Sequence, residues 1–200
     1  MSIYKIKPQF QALLRPGVQR LHDWGVTANQ VTLSACAISI GIGLWLFFAA
    51  PPIMAFLAIP VWMLVRMAFN AVDGMLAREH GHASKLGAYL NELTDVISDA
   101  ALYAPFALVA PFQPFAVGTV IVLAGMSEFA GALGPTVGAT RRYDGPMGKS
   151  DRAFVFGLLG TLVAFGVPLA PWGAAVMPLL AVAVGWTIVR RIRLGLKETG

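Results

Sequence analysis

Apolar residues along this chain fall into six long blocks, at about 30–50, 53–77, 86–110, 114–139, 153–170 and 173–190. About 20 apolar residues in a helix cross the hydrocarbon of a bilayer, so the pattern predicts six transmembrane helices. The separators are of two kinds. Pro51 and Pro52, Pro111 and Pro114, and Pro168, Pro171 and Gly173 divide blocks 1/2, 3/4 and 5/6, and none of these stretches contains Lys or Arg. The alternate connections are basic, with Arg78 and Lys85 between blocks 2 and 3, and Arg141, Arg142, Lys149 and Arg152 around the entry to block 5.

Ahead of the first block, Phe10, Leu13, Leu14, Val18 and Leu21 recur at helical spacing, with Lys7, Arg15, Arg20 and His22 on the remaining surface and Trp24 at the end. That pattern predicts a helix lying in the membrane interface, bent at Pro16-Gly17. The expected architecture is all-α and integral to the membrane: one domain over 1–200, with an interfacial segment at 1–28 and a six-helix core at 29–197. The first apolar run begins only near Val31 and is too long for a signal-peptide core, so the chain is expected to stay in the membrane.

Composition agrees with the pattern and removes alternatives. Of the 200 residues 57% are hydrophobic and only 12% charged, against about 25% charged in a soluble domain. Cys36 is the single cysteine, which excludes an intramolecular disulfide and a cysteine-only zinc site. The net charge is +5, with 15 Lys and Arg. Of these, all but Arg66 fall on one side of a six-span topology, which puts both termini in the cytoplasm by the positive-inside rule. Topology therefore accounts for the basic character, and nucleic acid is not an expected partner.

The remaining charges lie where a span should carry none. The end of block 2 reads R-M-A-F-N-A-V-D-G-M-L-A-R, and block 3 begins G-A-Y-L-N-E-L-T-D-V-I-S-D. Helical spacing aligns Arg66, Asn70, Asp73 and Ala77 on one stripe, and Gly87, Asn91, Asp95 and Asp99 on another. Facing each other across the short loop 79–85, they form an oxygen-rich pocket open to the cytoplasm, floored by small residues. Intramembrane ionisable groups are functional by default. Oxygen donors on rigid helices suit Mg²⁺ or Mn²⁺ holding a phosphate, and so a metal-assisted phosphoryl or phosphodiester transfer. His80 and His82 are read as solvated loop residues, and neither a Walker-type loop nor a serine-hydrolase elbow is present.

The stretch Asn70 to Asp95 resembles the signature of the CDP-alcohol phosphotransferases (CDP-alcohol phosphatidyltransferases), D-x-x-D-G-x-x-A-R, eight residues, G-x-x-x-D-x-x-x-D. Every spacing matches, and Asp73, Gly74, Ala77, Arg78, Gly87 and Asp95 are the family residue. T-A-N-Q-V-T before block 1 and G-K-S-D-R before block 5 are also similar to family segments. The resemblance implies a divalent-metal-dependent transferase of phospholipid synthesis. It would move a phosphatidyl group from CDP-diacylglycerol to an acceptor hydroxyl with release of CMP, as a homodimer in a bacterial inner membrane. It further implies that Asp73, Asp95, Asn70 and Asn91 stand at metal positions, with Asp95 also the general base. Gly74, Ala77, Arg78 and Gly87, with Asn29 and Thr32, would face the nucleotide, and Lys149, Arg152, Arg141 and Arg142 an anionic acceptor.

Two positions depart from the signature: Asn70 and Asn91 stand where the family has aspartate. The resemblance implies four carboxylates around two divalent ions, whereas this chain supplies two. Metal affinity is expected to fall, and Asp99, Glu92 and Glu128 are the other carboxylates available to restore the balance. Arg66 is expected to pair with Glu128 inside the membrane, since either charge buried alone is costly. A catalytically silent relative acting as a lipid-binding or assembly subunit is the main alternative. A small transporter fits less well, because the far halves of blocks 2 and 3 are apolar.

Overall fold

The computed structural model describes residues 3–49 and 51–200, with side chains described from Gln9 onward. Lys5 and Lys7, assigned above to the cytoplasmic side, and Ala50 at the end of the first block therefore lie outside the side chains described. Seven long helices follow in order: α1 Ile3–Asp23, α2 Ala28–Phe48, α3 Ala58–Glu79, α4 Lys85–Tyr103, α5 Pro114–Ala132, α6 Lys149–Ala164 and α7 Gly173–Thr199, with single 3₁₀ turns at Ile53–Leu57, Ala104–Leu108 and Gly134–Val137.

Helix α1 is the amphipathic segment, and it continues through Pro16 and Gly17 without a break. Val18 is fully buried and packs with Leu14 against Met75 and Leu76 of α3 and Val31 of α2, while Leu13 and Trp24 stay exposed. Arg15 pairs with Glu79 at 3.0 Å and ties α1 to the end of α3. Gly25, at φ 75°, makes the tight turn into α2, a left-handed conformation that glycine adopts without steric cost. Thr27 then caps α2, its hydroxyl accepting from Gln30 N at 3.3 Å while Gln30 Oε1 accepts from Thr27 N at 2.8 Å.

Helix α2 packs along α4, α5 along α7, and α3 against α6. Gly43 lies directly on the Ala101 carbonyl, so the α2–α4 contact tolerates no side chain there. The burial pattern is the reverse of a water-soluble globule. Phe48, Leu64, Phe115, Phe129, Leu179 and Val182 face outward, whereas Arg152 and Arg191 are among the largest fully buried side chains. Four segments are long and apolar enough to cross a membrane: α2, Ile53–Glu79, α5 and α7. The other two predicted spans, α4 and α6, are helices of the same bundle that do not meet that standard. Helix α4 carries Asn91, Glu92, Asp95 and Asp99, and α6 has only 16 residues and opens on Lys149, Asp151 and Arg152.

Candidate active site

The polar stripes of α3 and α4 meet as their spacing predicts. Thr32 of α2 donates to Asp73 Oδ2 at 2.8 Å, orienting that carboxylate within the bundle. A cavity of about 550 Å³ opens beside it, lined by Asn29, Thr32, Asn70, Asp73, Gly74, Ala77, Arg78, Gly87 and Asn91. Every residue assigned from the sequence to the nucleotide thus faces one space. At two of the glycines an added side chain would press on the end of a neighbouring one. A Cβ on Gly74 would come within 2.8 Å of Arg78 Nη2, and one on Gly87 within 2.9 Å of Asn29 Oδ1. Ser84 caps α4 by accepting from Gly87 N at 2.9 Å, which fixes the floor.

A second cavity, of about 390 Å³, lies on the other side of the two asparagines and is lined by Asp95, Arg141, Tyr143, Lys149, Ser150 and Arg191. Asn70, Asn91, Glu92 and Arg141 line both cavities and form the junction between them. Asp95 is held from two sides. Arg66 Nη2 donates to its Oδ1 at 2.9 Å, and the Lys149 ammonium pairs with its Oδ2. Arg141 pairs with Glu92 at the junction.

Behind the cavities lies a buried ionic network. Arg66 Nη1 donates to Asp99 Oδ1 at 2.6 Å, which overturns the expected Arg66–Glu128 pair. Because α3 packs beside α4, Arg66 meets the carboxylates of that helix, while Glu128 on α5 faces α6 and α7. Arg152 Nη2 donates to Glu128 Oε1 at 2.9 Å and lies 3.5 Å from Asp99 Oδ2, and Arg191 Nη1 is 3.4 Å from Glu128 Oε2. Arg152 is only 1% exposed and lines neither of the two large cavities. Its guanidinium links α4, α5 and α6. Arg142 also faces away, pairing with Asp144 at 2.8 Å and Glu198 at 2.5 Å. Of the four basic residues assigned to the acceptor, Arg141 and Lys149 line the second cavity, and Arg152 and Arg142 do not.

Arg191 takes a place there that sequence reading assigned only to topology. The signal was present: Val184, Thr187, Arg191 and Gly195 recur at helical spacing on the buried face of α7, while Arg190 and Arg193 fall outside it. The histidines are also less solvated than predicted. His22 stacks on His80 with ring centroids 4.2 Å apart, and His82 stands 5.5 Å from His22 at the rim of the first cavity.

With this geometry in view, the sequence profile of the CDP-alcohol phosphatidyltransferase family matches residues 25–189. The chain belongs to that family. It is a transferase of phospholipid biosynthesis, 45% identical over 193 residues to the inner membrane protein YnbA of Escherichia coli K12, covering 96% of each chain. Two crystal structures of the Mycobacterium tuberculosis phosphatidylinositol phosphate synthase share the fold at 26% identity. The one with CDP-DAG bound has a TM-score of 0.73, with 92% of this chain and 94% of that chain covered. The one with manganese and citrate has a TM-score of 0.72, with 92% and 90% covered.

The donor set decides how a divalent ion suits this chain. Asp73, Asn70 and Asn91 converge on the first cavity with oxygen donors, and among the described residues neither amide has a hydrogen-bond partner within the protein. That set fits one hard cation. Among the described residues no group of three or more His, Cys, Asp or Glu is arranged to hold a metal. Both oxygens of Asp95, the other carboxylate, already meet cationic side chains.

Proposed function

We propose that this chain transfers a phosphatidyl group from CDP-diacylglycerol to the hydroxyl of an anionic, phosphate-bearing acceptor, releasing CMP. The observation that carries this reading is the pair of cavities meeting at Asn70 and Asn91, with Asp73 on one side and Asp95 on the other. The cytidine diphosphate occupies the first cavity, where Gly74, Ala77 and Gly87 admit it closely and Arg78, Asn29 and Thr32 line its walls. The acceptor occupies the second, its anionic group drawn by Arg141, Lys149 and Arg191. The acceptor oxygen forms a bond to the phosphatidyl phosphorus as the phosphorus–oxygen bond to CMP breaks. Asp95, at the edge of the second cavity, receives the hydroxyl proton. Asp73, Asn70 and Asn91 would hold a Mg²⁺ or Mn²⁺ ion, which would supply neutralisation of the pyrophosphate charge when bound.

The same reading gives the chain six spans with both termini and both cavities on the cytoplasmic side, acting as a homodimer. Helices α4, less apolar than the other spans, and α6, shorter than they are, complete the bundle with their polar ends at the site. The outward apolar face of α5 supports contact with the donor's acyl chains.

Purified protein given Mg²⁺ or Mn²⁺, CDP-diacylglycerol and a panel of phosphorylated and neutral polyols should release CMP with a phosphorylated one and form the matching lipid by mass spectrometry. Asp73→Asn and Asp95→Asn should each lower the rate at least about 100-fold. CMP release that is equal in the wild type and both variants excludes catalysis at this site. Absence of turnover with every acceptor, alongside intact CDP-diacylglycerol binding, favours the silent relative, the reading to which Asn70 and Asn91 point.

A further inference from the structure

The junction between the cavities is short of negative charge, and a side chain of the protein already supplies a cation there. Asp73 faces the first cavity with the amide oxygens of Asn70 and Asn91 beside it. Asp95 faces the second, and the same two amides lie beside it. The two carboxylates differ in what they hold. Asp73 accepts from a neutral hydroxyl on one oxygen, at 2.8 Å from Thr32. Asp95 meets the guanidinium of Arg66 on one oxygen and the ammonium of Lys149 on the other. A divalent ion approaching Asp95 from the second cavity would have to displace Lys149 and then sit beside Arg66.

Charge matching gives the same answer. Glu92, which lines both cavities, is matched by Arg141, and Glu128, which lines the second, by Arg152 and Arg191. Two divalent ions facing Asp73 and Asp95 therefore leave two positive charges unmatched, whereas one divalent ion together with the Lys149 ammonium leaves one. Arg66 is already matched by Asp99 behind the site. Lys149 is also placed to serve as a fixed cation. It is the first residue of α6, it is only 30% exposed, and its ammonium has three donors, so it can hold Asp95 while facing the cavity.

We propose that this protein binds a single divalent cation, at Asp73 with Asn70 and Asn91, and that the Lys149 ammonium occupies at Asp95 the place of a second one. The proposal rests on the transferase reading for the role of the ion, but the number of ions bound is measured without turnover.

The test is a Mn²⁺ titration of detergent-purified protein, read by the electron paramagnetic resonance of free and bound Mn²⁺. The wild type is expected to bind one Mn²⁺ per chain, with no exchange-coupled pair signal. Lys149→Met should gain a second, weaker Mn²⁺ while Lys149→Arg stays at one, because the guanidinium keeps the positive charge. Combining Lys149→Met with Asn70→Asp and Asn91→Asp should bind two ions and show the coupled signal, the second at least about tenfold tighter than in Lys149→Met alone. An unchanged affinity for the first ion certifies that the single variants are folded. Two ions or a coupled signal in the wild type, no ion at all, or a Lys149→Met protein that stays at one would each overturn the proposal. Failure to release CMP with one Mn²⁺ bound counts against the transferase reading and leaves the ion count standing.

Discussion

At the scale of single residues, the site is built from short contacts that either hold a carboxylate or keep a wall thin. Thr32 shares its one hydroxyl proton between the Ala28 carbonyl at 3.0 Å and Asp73 Oδ2 at 2.8 Å. Removing the hydroxyl in Thr32→Val keeps the shape but frees the carboxylate to turn. Mn²⁺ affinity should drop about tenfold, in line with the loss of groups that orient a ligand, as read by the same titration. Gly87→Ala presses a methyl group onto Asn29, a side chain that can shift. It should raise the KM for CDP-diacylglycerol about tenfold while kcat changes less, because close approach of the nucleotide is lost before the reacting atoms are reached. Both positions were legible in the sequence through the resemblance: Gly87 stands at a fixed spacing from Asp95 in the signature, and Thr32 ends the T-A-N-Q-V-T segment before the first block. The partner of Arg66 was not legible. Periodicity puts Arg66 and Glu128 inside the bundle, but only the packing of α3 on α4 decides that Asp99, rather than Glu128, meets the guanidinium.

At the scale of helices, the informative elements are the two that fall short as spans. Helix α4 gives up apolar positions to Asn91, Asp95 and Asp99, and α6, with 16 residues, spends its first turn on Lys149, Asp151 and Arg152. Hydropathy sees both as apolar blocks; only their partners explain the polar residues. Asp99 is the hinge of that arrangement, 2.6 Å from Arg66 and 3.5 Å from Arg152, and 5% exposed. Asp99→Asn leaves two buried guanidinium groups short of charge, and it should cost about 3–5 kcal/mol, the penalty for breaking a buried ion pair from one side. Thermal unfolding in detergent reads the loss. Adding Arg66→Met to the same chain should recover part of it, since the unmatched cation goes with its partner. Arg191 belongs to this scale too. Its place is written in the helical period of α7, but a tail of basic residues hides it, because the positive-inside rule explains a cluster of arginines without asking which of them faces inward.

For the whole molecule, the proposed six-span topology puts the basic connections on one side of the membrane and the charge-free ones on the other, so orientation can be measured directly. Cys36 is the chain's single cysteine and is buried in α2, leaving a quiet background for introduced thiols. A cysteine at Ala83, in the loop between α3 and α4, should react with a membrane-impermeant maleimide only in inverted vesicles. One at Gln113, before α5, should react only in right-side-out vesicles. Labelling of both from the same side would remove the six-span topology. The ionic network has a consequence of another kind. Arg66, Asp99, Glu128, Arg152 and Arg191 come from five different helices, and each lies within 3.5 Å of another member. With three arginines set against two carboxylates, a lone replacement of Asp99 or Glu128 strands guanidinium charge in a medium that cannot solvate it. Over evolutionary time Asp99 and Glu128 are therefore expected to change only in company with an arginine that faces them, so descendants of this fold inherit each carboxylate and its guanidinium partners as one character.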